Sequence, residues 1–238
     1  MRRIGMLTPS SNTVLEPATS RMIDAVPEIT VHFSRFAVTE IALDKAALAQ
    51  FDTAPMLDAS TLLSHAKVDV ISWNGTSASW LGIDSDRTLI RDITDRTSIA
   101  ASTCVLSLMD AFDRLGTRRY GLVTPYTKDV QEKIVSNFDA HGLTCGAEAH
   151  FDIRDNFAFG TVPPDRVAQA VRDVAQQGVD AVVILCTNLA GAQSAASIET
   201  ETGVPVLDSV TLTVWGALKA VGAETAGLAP WGPRLSQL

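Results

Sequence analysis

Val179-Asp180-Ala181-Val182-Val183-Ile184-Leu185-Cys186-Thr187 is an aliphatic run that opens on an aspartate and closes on a thiol and a hydroxyl. Val68-Asp69-Val70-Ile71-Ser72-Trp73-Asn74-Gly75-Thr76 has the same layout, with six residues from the aspartate to Gly75 or to Cys186. Positions 75 and 186 are therefore equivalent in two copies of one pattern. Two further pairs occur in the same order. Arg2-Arg3-Ile4-Gly5-Met6-Leu7-Thr8-Pro9 matches Arg118-Arg119-Tyr120-Gly121-Leu122-Val123-Thr124-Pro125, and Thr97-Ser98-Ile99-Ala100 matches Thr202-Gly203-Val204-Pro205 more weakly. Self-similarity at a period near 110 residues indicates a repeated structural unit, with loop insertions absorbing the drift in spacing.

Within each unit short apolar runs alternate with helical stripes, the pattern of parallel strands joined by crossover helices. Ile4–Leu7, Tyr120–Val123 and 179–185 read as strands covered on both faces, because they are almost continuously apolar. Val130, Ile134, Val135 and Phe138 form a helical stripe that stops at Gly142. A second stripe, Val167, Ala170, Val171 and Val174, has Asp165 as its expected cap and ends at Gly178, a position suited to left-handed backbone. The expected fold is α/β, with two pseudo-symmetric Rossmann-like (flavodoxin-like) units, each a parallel sheet flanked by helices, and the active site between them. Residues 1–95 plus 209–225 are expected to form the first half and 96–208 the second. Residues 226–238, with Pro230-Trp231-Gly232-Pro233, read as a C-terminal tail.

At 238 residues and 46% hydrophobic content the chain can bury a sizeable core. A formal net charge of -8, without a Lys or Arg run, argues against nucleic acid or an anionic membrane as partner. No stretch approaches the roughly 18 consecutive apolar residues of a membrane span, and Met1-Arg2-Arg3-Ile4-Gly5 leads straight into a strand, so the expected location is cytoplasmic. Three scattered cysteines (Cys104, Cys145, Cys186) suggest neither a disulfide framework nor a zinc site, and His32, His65, His141 and His150 form no ligand pair. The expectation is chemistry by side chains alone, with no metal and no cofactor. A homo-oligomer is left open.

In open parallel sheets, ligands bind outside the carboxyl ends of the strands. Four loops fit: Pro9-Ser10-Ser11-Asn12-Thr13, Asn74-Gly75-Thr76-Ser77-Ala78, Pro125-Tyr126-Thr127, and Cys186-Thr187-Asn188-Leu189-Ala190-Gly191. Together they would enclose a small pocket lined by hydroxyls, amides and one thiol. Such donors hold a carboxylate without an arginine, and they stabilise an enediolate when a bond beside that carboxylate breaks. Cys186 is the candidate proton donor or acceptor, and Thr76, Ser77 and Tyr126 bring hydroxyl groups to the same loops. Asn12, Ser10, Gly75, Thr187 and Asn188 are the candidate substrate-binding residues. Plainer roles compete. Gly75 suits a sharp turn, Thr76, Ser77, Asn12 and Asp208 suit helix caps, Tyr126 suits packing, and Trp73 and Trp80 are core or pocket lining. Cys104 reads as core and Cys145 as structural.

These residues resemble the aspartate/glutamate racemase superfamily, in particular the branch holding maleate cis-trans isomerases and arylmalonate decarboxylases. The likeness covers nearly the whole chain. Pro9-Ser10-Ser11-Asn12-Thr13-x-x-Glu16 resembles the maleate isomerase signature, which implies that Asn12 contacts a substrate carboxylate. Val123-Thr124-Pro125-Tyr126 places Tyr126 on that branch's active-site tyrosine. The superfamily's racemases and isomerases carry two opposed cysteines, whereas this chain has Gly75 at one position and Cys186 at the other. Gly75-Thr76-Ser77 is similar to the loop of arylmalonate decarboxylase. The resemblance thus implies cofactor-independent decarboxylation of a disubstituted (aryl)malonate-type acid, with Thr76, Ser77 and Tyr126 as catalytic donors to the enediolate and protonation by Cys186. The alternatives are maleate cis-trans isomerisation or Asp/Glu/hydantoin-type racemisation of a small carboxylate or dicarboxylate, and a non-catalytic carboxylate sensor or carrier.

Overall fold

Eight parallel strands form two separate four-stranded sheets in the computed structural model, which describes residues 1–238. The first sheet holds β1 (Arg2–Pro9), β2 (Ile29–Phe36), β3 (Val70–Trp73) and β4 (Ala100–Thr103) in the order β2-β1-β3-β4. The second holds β5 (Arg119–Thr124), β6 (Thr144–His150), β7 (Ala181–Ile184) and β8 (Val206–Asp208) in the order β6-β5-β7-β8. The two orders are identical, and helices cover both sheets in the expected α/β arrangement. One hydrophobic core runs through the molecule and includes Cys186 at its edge.

The repeat read in the sequence is a repeat of bonding. Ile4 pairs with Val70 between β1 and β3, as Tyr120 pairs with Ala181 between β5 and β7. Asp69 Oδ2 accepts from the Arg3 amide at 2.6 Å, and Asp180 Oδ2 accepts from the Arg118 and Arg119 amides at 2.8 and 2.7 Å. Each aspartate thereby fixes the register of a central strand against its neighbour. Ser98 and Gly203 both end a helix in left-handed backbone, with φ of 57° and 72°. Thr103 and Asp208 then cap the next helices, Cys104–Leu115 and Ser209–Ala220, through their side-chain oxygens.

Three details depart from the sequence reading. The first sheet continues past the expected 95/96 boundary, because β4 pairs with β3 from Val70↔Ala100 to Trp73↔Thr103. Asp165 does not cap its helix. Pro163 is the N-cap and Pro164 the first helical residue, so Asp165 lies in the first turn, where its charge still favours the helix dipole. The tail contains two short 3-10 turns, Ala226–Leu228 and Leu235–Gln237. Helix Ser209–Ala220, although it follows β8, packs against β3, β4 and helix Cys104–Leu115. It ties the end of the second repeat to the first sheet.

Two buried carboxyls make the fold sensitive to pH. Asp86 and Asp208 each have an Oδ2 with no partner, and burial pushes both pKa values up to about 7. Both folded values lie above the unfolded value, so the stability they contribute is present below about pH 4 and is lost as pH rises through 7. The melting temperature should therefore fall between pH 5 and 8, and an Asp86→Asn/Asp208→Asn variant should show a flatter profile in a thermal denaturation series.

Candidate functional site

The carboxyl ends of the central strands converge between the sheets. The β3 exit presents Gly75, Thr76 and Ser77, the β5 exit presents Tyr126, and the β7 exit presents Cys186 and Thr187. These residues line one pocket together with Pro9, Val38, Ile41, Phe51, Trp73, Trp80 and Asn156. Its free volume in this closed arrangement is about 20 Å³, too small for a carboxylate substrate until the residues around it move apart. The halves are joined directly at this point. Thr76 Oγ1 and the Tyr126 hydroxyl lie 2.7 Å apart. Thr187 Oγ1 donates to the Asn74 carbonyl at 3.2 Å and accepts from Asn12 Nδ2 at 3.1 Å.

Cys186, Thr76, Ser77, Tyr126, Gly75 and Thr187, all candidates from the sequence, line this pocket. Three other candidates stand elsewhere. Ser10 is exposed, and its hydroxyl is occupied by Val38, accepting from the amide at 3.1 Å and donating to the carbonyl at 3.3 Å. The chain turns directly after Pro9, which aims Ser10 away from the cavity. Asn12 is buried behind the wall, where its Oδ1 accepts from the Val14 and Leu15 amides at 3.0 Å and its Nδ2 reaches Thr187. Asn188 is a brace. Its Oδ1 accepts from the Thr13 amide at 3.0 Å, and its Nδ2 donates to the Asn156 carbonyl. Asn12 and Asn188 thus position the Cys186–Thr187 loop against the first half. Cys104 donates to the Ser209 carbonyl in the core and Cys145 lies in β6, so neither reaches the pocket.

The sequence places the pocket walls in loops near 36–45 and 151–162 without singling out residues; Val38, Ile41 and Asn156 lie in those loops, and Phe51 lies outside them. All four come from the two long connections after β2 and β6, whose course no local pattern reveals. These connections meet over the site. Ile41 donates its amide to the Arg154 carbonyl at 3.0 Å, the Asn156 amide donates to the Thr39 carbonyl at 2.9 Å, and Glu40 bridges Asp155. The Arg154 guanidinium pairs with Glu40 at 3.0 Å and with Asp44. One strap from each half therefore closes the pocket.

Within this enclosure the thiol is neutral. Burial pushes Cys186 up to about 12, outweighing the Asn188 amide, which donates to Sγ at 3.4 Å, and the Tyr126 hydroxyl; the carboxyl of Asp208 adds to the rise. Burial also raises Tyr126 well above its ordinary value. Both groups are proton donors at neutral pH. The Ser77 hydroxyl accepts from Trp73 Nε1 at 3.3 Å, which leaves its own proton free to donate. Only one proton of the Thr76–Tyr126 pair is used between them, so one remains. The amides of Gly75, Thr76 and Ser77 have no backbone acceptor. No Lys, Arg or His side chain lines the pocket. Uncharged donors facing one proton-bearing thiol can bind a carboxylate, hold an enediolate formed from it, and protonate its carbon.

Fold and site together define an α/β enzyme of the racemase superfamily type. The arylmalonate decarboxylase family profile matches residues 4–230, and the chain belongs to that family. Maleate isomerase of Pseudomonas putida is 30% identical over 234 residues, spanning 93% of this chain and 92% of the relative. Arylmalonate decarboxylase of Bordetella bronchiseptica is 23% identical over 222 residues, spanning 92% and 90%. A solved structure of Nocardia farcinica maleate cis-trans isomerase, a cysteine-to-serine mutant with a covalently bound succinylcysteine intermediate, superposes with a TM-score of 0.89 at 24% identity, covering 100% of this chain and 99% of that one. Maleate isomerases and an arylmalonate decarboxylase thus both stand among the relatives. Separately, no helix is long and apolar enough to cross a membrane.

Two measurements check this geometry. Iodoacetamide labelling of Cys186, read by mass spectrometry, should stay slow at pH 7 and accelerate up to pH 10 without a plateau. A plateau near pH 8 would mean an ordinary or activated thiol. Arg154→Ala should speed hydrogen exchange at the Ile41 and Asn156 amides while leaving β5 and β7 protected.

Proposed function

We propose that this chain is a cofactor-independent decarboxylase that works through the enediolate of a small disubstituted malonate-type acid, with Cys186 as its only proton-transfer thiol. The observation that carries the reading is the pairing of one buried, neutral thiol with Gly75 at the equivalent position of the other half. One thiol suffices for this reaction. The bond to the departing carboxylate breaks, carbon dioxide leaves, and the electron pair becomes the enediolate. Ser77, the Thr76–Tyr126 pair and the Gly75–Ser77 amides hold that charge. Cys186 gives its proton to the carbon, and the resulting thiolate recovers one from water. The apolar side chains of Val38, Ile41, Phe51, Trp73 and Trp80 supply a poorly solvating wall for the departing group.

The isomerase relatives support a second reading, conversion of maleate to fumarate. There Cys186 acts as nucleophile: its sulfur adds to the double bond, the enediolate rotates about the resulting single bond, and the thiolate is expelled. This route first requires Cys186 to ionise, which its buried setting opposes, whereas the similarity to maleate isomerases favours it.

The two readings separate in one experiment. The protein and its Cys186→Ala variant are incubated in deuterated water with 2-aryl-2-methylmalonates, maleate and single-enantiomer amino acids, followed by proton NMR. The proposal expects carbon dioxide loss and deuterium entering one face of the product, abolished by Cys186→Ala. Ser77→Ala and Tyr126→Phe should each lower the rate about a hundredfold, as loss of one oxyanion donor does. Fumarate formation without decarboxylation overturns the proposal in favour of the isomerase reading.

A further inference from the structure

Gly75 has no room for a side chain. A Cβ on its backbone would lie 2.1 Å from Trp73 Cζ2 and 2.5 and 2.6 Å from Cη2 and Cε2, well inside any carbon–carbon contact. The obstructing ring is held from three sides. Trp73 is fully buried, its Nε1–H donates to Ser77 Oγ at 3.3 Å, and its indole packs on Phe36 with centroids 5.2 Å apart. Trp73 is also the last residue of β3, in register with Leu7 and Thr103, so its backbone is anchored on both sides. In the second half the equivalent residue is Ile184, whose smaller side chain packs toward Gly191 while Cys186 keeps its place in the pocket.

We infer that Trp73 is the specificity-determining residue of this pocket: its indole occupies the space of a side chain at position 75 and limits the site to chemistry on one face of the substrate. The glycine is then a steric requirement of the indole, not merely a missing thiol. Racemisation by two opposed thiols needs one thiolate to take the α-proton while the other thiol delivers its proton to the opposite face, each ending in the other's starting state. Trp73 closes that route. Its Nε1–H also occupies an acceptor site of Ser77, which orients the Ser77 proton toward the pocket. The inference rests on the one-thiol reading of the site, but its steric half is independent of any activity.

The test uses the full chain with Gly75→Ala, Gly75→Cys, Trp73→Leu and the Trp73→Leu/Gly75→Cys double variant. Overpacking should lower the melting temperature of Gly75→Ala and Gly75→Cys by on the order of 5 °C. The double variant should melt no lower than Trp73→Leu alone, because the added thiol fills the space the indole vacates. With single-enantiomer 2-arylpropionate in deuterated water, the double variant should lose enantiomeric purity at least tenfold faster than Gly75→Cys. Additive melting shifts, or a Gly75→Cys protein that melts with the parent and racemises as fast as the double variant, overturn the inference. Coupled melting with no exchange in the double variant leaves the steric pair standing and overturns Trp73 as the limit on chemistry. Failure of the one-thiol reading is seen separately, as turnover by the parent that survives Cys186→Ala.

Discussion

The hydrogen bond between Thr76 Oγ1 and the Tyr126 hydroxyl, 2.7 Å long and buried, is the contact on which the site depends. It joins the exit of β3 in one sheet to the exit of β5 in the other. Neither sheet alone could bury these hydroxyls without leaving a polar group unpaired, at a cost of about 1–3 kcal/mol each. The Asn12–Thr187–Asn74 chain and the Asn188 brace repeat the device across the same seam. The surface where the repeats meet is therefore polar at its centre and apolar around it. That is the composition a carboxylate pocket requires.

Desolvation sets the protonation state of the pocket. The same burial that excludes water keeps the Cys186 thiol protonated and raises Tyr126 with it. A protonated thiol results without any neighbouring cation. The cost appears nearby: Thr8 Oγ1, Asn74 Oδ1, Trp80 Nε1 and Asp208 Oδ2 are buried without partners. Unpaired polar atoms are uncommon in protein interiors and concentrate where function competes with stability. Of the nine such atoms in the protein, three sit on residues that border or line the pocket, a fourth, on Asp208, belongs to the carboxyl that raises the thiol's pKa, and five lie elsewhere in the core. The fold accepts that loss of stability around a site assembled from two half-sites.

The repeat made most of the fold legible, because Asp69 and Asp180 mark equivalent strand starts and the six-residue spacing carries the pattern to Gly75 and Cys186. Residues at strand ends were readable for the same reason: the strand fixes where the next side chain points. Side chains with two competing uses were not. Asn12 and Ser10 have the right chemistry for a carboxylate, but backbone amides and carbonyls of the adjoining turns occupy them. Asn156, Val38 and Ile41 lie on connections with no periodicity, positioned only by the pairing of the two straps across the halves. The β4 boundary was missed because Ala100-Ala101-Ser102-Thr103 lacks the aliphatic run of the central strands, as an edge strand with partly exposed residues permits.

On the proposed function, uncharged donors from both halves hold a carboxylate while the thiol of Cys186 faces its α carbon. A crystal structure of the protein with a bound 2-arylpropionate tests it most directly. The expected result is carboxylate oxygens within hydrogen-bond distance of Ser77, Tyr126 or Thr76 and the Gly75–Ser77 amides, with Cys186 Sγ against the α carbon. A carboxylate held instead by an arginine outside the pocket, or a Cys186 side chain turned into the core, would contradict it.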